Sequence, residues 1–114
     1  MRAAAIAGLL AITLNAPARA AEGMTAAGMT TAALRTLCSA RSGTTARLTC
    51  SGYFVGFIDG AAIVAATSSR PPWCAKDADI ESTFLRFSQA HPENDTQSAA
   101  VTIYYAMKEA HPCR

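Results

Sequence analysis

No two cysteines in this 114-residue chain stand at C-x-x-C spacing, there are only two histidines, and no stretch alternates apolar and polar residues for more than a few positions. The missing spacing, with both histidines in Ala-His-Pro contexts, argues against a zinc or dithiol redox centre, and no metal or cofactor is expected. The missing alternation argues against a β-sandwich or barrel. Charged residues make up 16% of the chain and are scattered singly, so no basic patch offers itself to nucleic acid.

What is present is apolar: 51% of the residues are hydrophobic, in a length that allows one domain. The opening "MRAAAIAGLLAITLNAPARA" has a basic Arg2, an apolar run from Ala3 to Leu14 and an Ala18-Arg19-Ala20 ending. This reads as a secretory signal peptide over residues 1–20, because the run is shorter than the roughly 20 residues a bilayer span needs. Removing Arg2 and Arg19 leaves eight basic residues of ten against eight acidic ones, so the mature chain is formally neutral. Residues 21–29, small and glycine-containing, read as a flexible leader, and residues 30–114 as the folded domain.

The spacing predicts four helices. Thr30, Leu34, Leu37 and Cys38 share one stripe over 30–40, and Gly43 followed by Thr44 or Thr45 breaks that helix and caps the next. In "SGYFVGFIDGAAIVAATS" (51–68), apolar positions cover most of the helical circumference, so a helix over 46–66 is expected to be the buried spine. Gly52, Gly56 and Gly60 recur every four residues on it, a ridge without side chains for another helix to approach, with Asp59 as a buried carboxylate beside it. A membrane span is disfavoured because Asp59 and the glycines interrupt the run. Pro71 and Pro72 stop the helix. Asp77, Asp79 and Glu81 suit the start of a third, with Ile80, Phe84, Phe87 and Ala90 or His91 inward, and Pro92 ends it. Asn94, Asp95 or Thr96 caps a fourth over 97–110, with Ala100, Ile103, Tyr104 and Met107 inward. The expected fold is all-α, a compact bundle of four main helices.

Four cysteines in an exported domain of this size read as two disulfides, formed in an oxidising compartment such as a periplasm. If consecutive helices run antiparallel, Cys38 and Cys50 share one pole, while Cys50 and the far end of its helix lie about 24 Å apart at 1.5 Å per residue. Cys74 follows that far end, and Cys113 returns to it. A disulfide needs Cα atoms within about 7 Å, which selects Cys38 with Cys50 and Cys74 with Cys113.

Catalytic chemistry is hard to assemble. His91 and His111 sit at opposite poles of this map, where they favour helix C-termini. Cys113, used in a disulfide, is no nucleophile. Asp59 is expected to be structural, and Trp73 either seals a pole or anchors a partner. No catalytic residue is assigned, and the chain is expected not to be an enzyme.

The order "LC…C-SGYFVGFIDG…WC…FLRFSQAHPEND…SAAVTIYYAMKEAHPC" resembles the Rap/Tai family of immunity proteins, which accompany type VI secretion systems and neutralise peptidoglycan-amidase effectors. The resemblance runs from about Leu37 to Cys113, and its most specific pieces are the C-x-G-Y-x-x-G-x-x-D-G spacing of Cys50 to Gly60, "HPE" at 91–93 and the "PC" at 112–113. It departs from the family pattern in "CAKDADIEST" (74–83), which lacks a proline soon after the third cysteine and a glutamine in the next helix. The resemblance implies a periplasmic, non-catalytic, often homodimeric protein whose protruding inter-helix loop plugs the effector's substrate groove. The matching segment is the loop after the third helix, with His91, Glu93, Asn94 and Asp95 as its partner-binding residues. A different class, a small periplasmic stress or chaperone-like helical protein with no cognate effector, also fits a disulfide-stapled helical domain. It predicts binding to many unfolded clients, whereas an immunity protein has one partner.

Overall fold

A computed structural model describes residues 24–25, 28–75 and 79–114. The signal-peptide reading of residues 1–20 and the role given to Asp77 lie outside the described residues, as does most of the 21–29 leader. Within that leader, β1 (Met24–Thr25) pairs antiparallel with β2 (Gly28–Met29), in the register Met24 with Met29 and Thr25 with Gly28. Four helices follow: α1 (Thr31–Cys38), α2 (Thr45–Ser68), α3 (Ile80–Ala90) and α4 (Ala99–Ala110), with a 3-10 turn at Pro92–Asn94. The all-α fold is the one expected.

Local chemistry explains where most of the helices begin. The hydroxyl of Thr30 accepts from the Ala33 amide at 3.2 Å, that of Thr44 from the Arg47 amide at 3.3 Å, and the carboxylate of Asp79 from the Ser82 amide at 3.1 Å. These bonds satisfy helix-start donors that have no partner within the helix. The last of them also holds Asp79 below the usual carboxylate range. Gly43, with φ +81°, turns the chain into Thr44 rather than closing α1, whose C-cap is Ser39 in a right-handed conformation. The fourth helix departs from expectation: it starts at Ala99 behind Ser98, with no side-chain cap.

Helices α3 and α4 pack along each other, and α1 lies against both. Their shared core is Leu34, Phe84, Ile103 and Met107, all fully buried, with Met29, Leu37 and Ile80 packed around it. The inward face of α4 is rotated from the predicted one. Thr102 and Ala106 are buried and Tyr104 points out, because the Thr102 hydroxyl finds the Thr31 hydroxyl at 2.8 Å inside the core. A buried hydroxyl that bonds another avoids the roughly 1–3 kcal/mol cost of an unmet one.

Both disulfides form as the helix map required. Cys38 joins Cys50 and Cys74 joins Cys113, with Cα separations of 5.1 and 4.8 Å. Arg47 lies over the first, its guanidinium 2.9 Å from the Cys50 sulfur and 2.8 Å from the Glu81 carboxylate.

The second helix is not the buried spine. Only Cys50 and Phe54 on it are buried, while Val55, Ile63 and Val64 are 59%, 66% and 51% exposed. The reason is length. At 1.5 Å per residue α2 runs about 36 Å, against about 12 to 18 Å for its neighbours, so its far half outruns them. A Cβ added at Gly52, Gly56 or Gly60 would meet nothing within 4 Å, so none of the described helices approaches the ridge, and Asp59 is exposed rather than buried.

Among the described residues α2 alone is long and apolar enough to cross a membrane, by length and composition. It is nevertheless held to the domain between Cys50 and Phe57. Cys50 is bonded to α1, the Phe54 ring meets Phe84 edge-on at 5.8 Å, and Phe57 stacks on Trp73, whose neighbour Cys74 is bonded to Cys113.

Candidate partner-binding loop

Residues His91 to Asp95 leave α3 and return to α4 through a hydrogen-bonded turn. The Asn94 amide donates to the His91 carbonyl, the Asp95 amide to that of Pro92, and the Gln97 amide to that of Asn94, at 2.9 to 3.1 Å. Pro92 begins the 3-10 turn, where its missing N–H costs nothing. The Asn94 and Asp95 amides thus find their partners within the turn itself.

The loop is also fastened to α1 at three levels. The first amides of α1, Thr31 and Ala32, donate to the carbonyls of Gln97 and Asp95 at 2.9 and 3.1 Å, so the loop fills the open N-terminus of that helix. The Thr31 hydroxyl adds a bond to the Gln97 carbonyl at 3.2 Å. Arg35 grips the Asp95 carboxylate with both guanidinium nitrogens, at 2.7 and 2.9 Å, and donates to the Ser88 carbonyl at 3.1 Å. Paired bonds of this kind fix orientation as well as charge. The Arg35 guanidinium holds Asp95 below the usual aspartate range, and Asp95 in turn raises Arg35.

The four residues singled out in the sequence therefore divide. Asp95 faces inward to Arg35 and anchors the loop, with Asn94 half-buried beside it. Glu93 is the outermost group, its side chain 66% exposed. Its carboxylate accepts from the His91 ring at 2.9 Å, which keeps it below the usual glutamate range, and the His91 ring rests on Phe87 at 4.3 Å. A cleft of about 410 Å³ between α3 and α4 opens next to His91, with Arg86 and Glu109 at its walls. The outer surface thus offers an anionic tip beside a hollow of mixed lining, with Phe87 and Ala90 as well as Arg86 and Glu109.

Sequence reasoning missed Arg35, the residue that decides which way Asp95 points. The only available signal was a lone arginine on the stripe beside Leu34, matched to an acidic loop 60 positions later. Elsewhere, Cys38, Cys50 and Glu81 bring metal-type donor atoms together, but the sulfurs are bonded to each other and the carboxylate to Arg47. His111 contributes its carbonyl, which accepts from the Cys74 amide at 3.0 Å.

Residues 30–113 match the family model described as Rap1a immunity proteins. Neither a curated protein nor a solved structure matches the chain.

Proposed function

The chain belongs to the Rap1a immunity protein family, and from that premise we propose that it protects its own cell by binding a peptidoglycan amidase delivered by a type VI secretion system and occluding its active-site groove. It acts without catalysis of its own, in the periplasm, after removal of residues 1–20 and with residues 30–114 as the binding domain. Two disulfides that staple a small helical domain suit that oxidising compartment.

The observation that carries the mechanism is the bracing of the His91–Asp95 loop: internal turn bonds, two carbonyls on the α1 amides and the Arg35 fork on Asp95. A loop already held in one conformation loses little entropy on docking, which is what a tight plug requires. On this reading Glu93 meets a cationic or histidine-bearing groove, with His91 and Asn94 at its flanks, and Asp95 positions them. Binding of the mature chain to the amidase encoded beside it, followed by calorimetry, tests this. Glu93→Arg leaves the Arg35–Asp95 anchor intact and is expected to weaken binding roughly 100-fold, about 2.7 kcal/mol. Unchanged affinity of that variant would remove the loop from the interface, and failure of the unaltered protein to bind or protect would remove the immunity role.

Self-association goes with this reading. The outward face of α2 carries Leu48, Gly52, Val55, Gly56, Asp59 and Ile63, all exposed, and two such faces crossing antiparallel set side chains of one copy over glycines of the other. A parallel crossing in register would oppose the two Asp59 carboxylates. Sedimentation at micromolar protein is expected to give twice the chain mass, and Val55→Asp with Ile63→Asp to return the monomer. A single-chain mass for the unaltered protein at all concentrations would exclude the pairing.

A further inference from the structure

On the side of α2 turned toward α4, away from the outward glycine face, lies a groove of about 400 Å³ lined by Phe57, Gly60, Ala61, Val64, Trp73 and Tyr104. Its floor is fixed, because the Trp73 indole stacks on Phe57 with centroids 5.8 Å apart and planes 8° from parallel. The following disulfide to Cys113 holds that segment in place. The lining is hydrocarbon and aromatic, save for the Tyr104 hydroxyl. Gly60 gives the groove its depth: a Cβ there would stand in open space.

One end of the groove is cationic. A second hollow shares Val64, Pro72 and Tyr104 with the first and adds Arg70 and Lys108 at its rim. Lys108 leans over the Tyr104 ring, its nitrogen 5.4 Å from the centroid, and among the described residues no carboxylate pairs with either cation. An apolar trough of this volume ending in two positive charges matches a molecule with an alkyl chain and one carboxylate.

We propose that the groove between α2 and α4 binds a free medium-chain fatty acid, with the alkyl chain along Val64, Gly60 and Trp73 and the carboxylate between Arg70 and Lys108. The site is separate from the His91–Asp95 loop, and the inference does not rest on the immunity role. The chemistry is plain amphiphile recognition. Burial of the chain supplies the driving force, and the cations select the acid over its neutral analogues.

Trp73 is the only tryptophan in the sequence, so its emission reports on the groove alone. The full chain after signal removal, with both disulfides formed, is titrated with dodecanoate and with dodecanol below their aggregation limits. Dodecanoate is expected to produce a saturable blue shift at one equivalent, and dodecanol to need at least tenfold more. Gly60→Leu, which fills the trough from a position with free space, is expected to abolish the shift while helical circular dichroism is unchanged. Arg70→Glu with Lys108→Glu, on the exposed rim, is expected to weaken dodecanoate at least tenfold and leave dodecanol unaltered. Equal response to acid and alcohol, or full response of both variants, would overturn the proposal. So would a Trp73 shift that follows protein concentration without ligand, since a second copy would then occupy the groove.

Discussion

Replacing Cys74 and Cys113 together by alanine is expected to lower the unfolding free energy by about 4 kcal/mol and the melting temperature by roughly 20 °C. The equivalent change at Cys38 and Cys50 is expected to cost about 3 kcal/mol, because the first bridge spans 39 positions and the second 12. Local structure adds to the difference. The described part of the segment after α2 is tied to the rest of the domain by the bond from the Cys74 amide to the His111 carbonyl and by the Trp73 stack on Phe57. Without its cystine that segment loosens, and with it the far half of α2, whose own burial is slight. Thermal melts of the oxidised protein, the reduced protein and each double variant measure this directly. Indistinguishable melting temperatures for oxidised and reduced protein would show that neither bridge contributes.

The second large effect is expected at Phe84. Its ring is fully buried and sits edge-on to Phe54, where α3 meets the root of α2. Phe84→Ala is expected to cost about 3–5 kcal/mol through lost burial and the cavity left behind. A domain this size has only about 5–15 kcal/mol to lose. Gln89→Ala, on the exposed side of the same helix, should stay within about 0.5 kcal/mol of the unaltered protein. Urea titration of both variants with unchanged slopes makes the comparison quantitative. A loss under about 1 kcal/mol at Phe84 would contradict the cavity argument and place the core elsewhere.

How far the fold could be read in advance differs from element to element, for physical reasons. Helix starts were legible at Thr44 and Asp79, because a capping side chain acts on an amide three residues away and leaves its mark in local order, whereas Thr30, read as part of the first helix's stripe, is its cap. The cystine pairing was legible because helix rise and loop length convert sequence into distance. The setting of α2 was not. An apolar circumference says that a helix wants to be covered, but not whether the cover comes from the same chain, so the helix read as a buried spine leaves Ile58 and Val64 47% and 51% exposed. The loop followed the same division. Its polar residues were visible in "HPEND", whereas the inward turn of Asp95 depends on Arg35, a partner 60 positions away. The rotation of α4 was hidden likewise, since the bond between Thr31 and Thr102 crosses 71 positions.

The carbonyls of Asp95 and Gln97 that complete the first turn of α1 bear on the order in which the domain assembles. A chain emerging amino end first presents α1 with its leading amides bare, and the groups that satisfy them arrive only after α2 and α3 have passed. The opening helix thus stays provisional until the fourth begins. Completion of that first turn waits for residues 95 and 97, and a product cut short before residue 95 lacks the groups that cap its beginning.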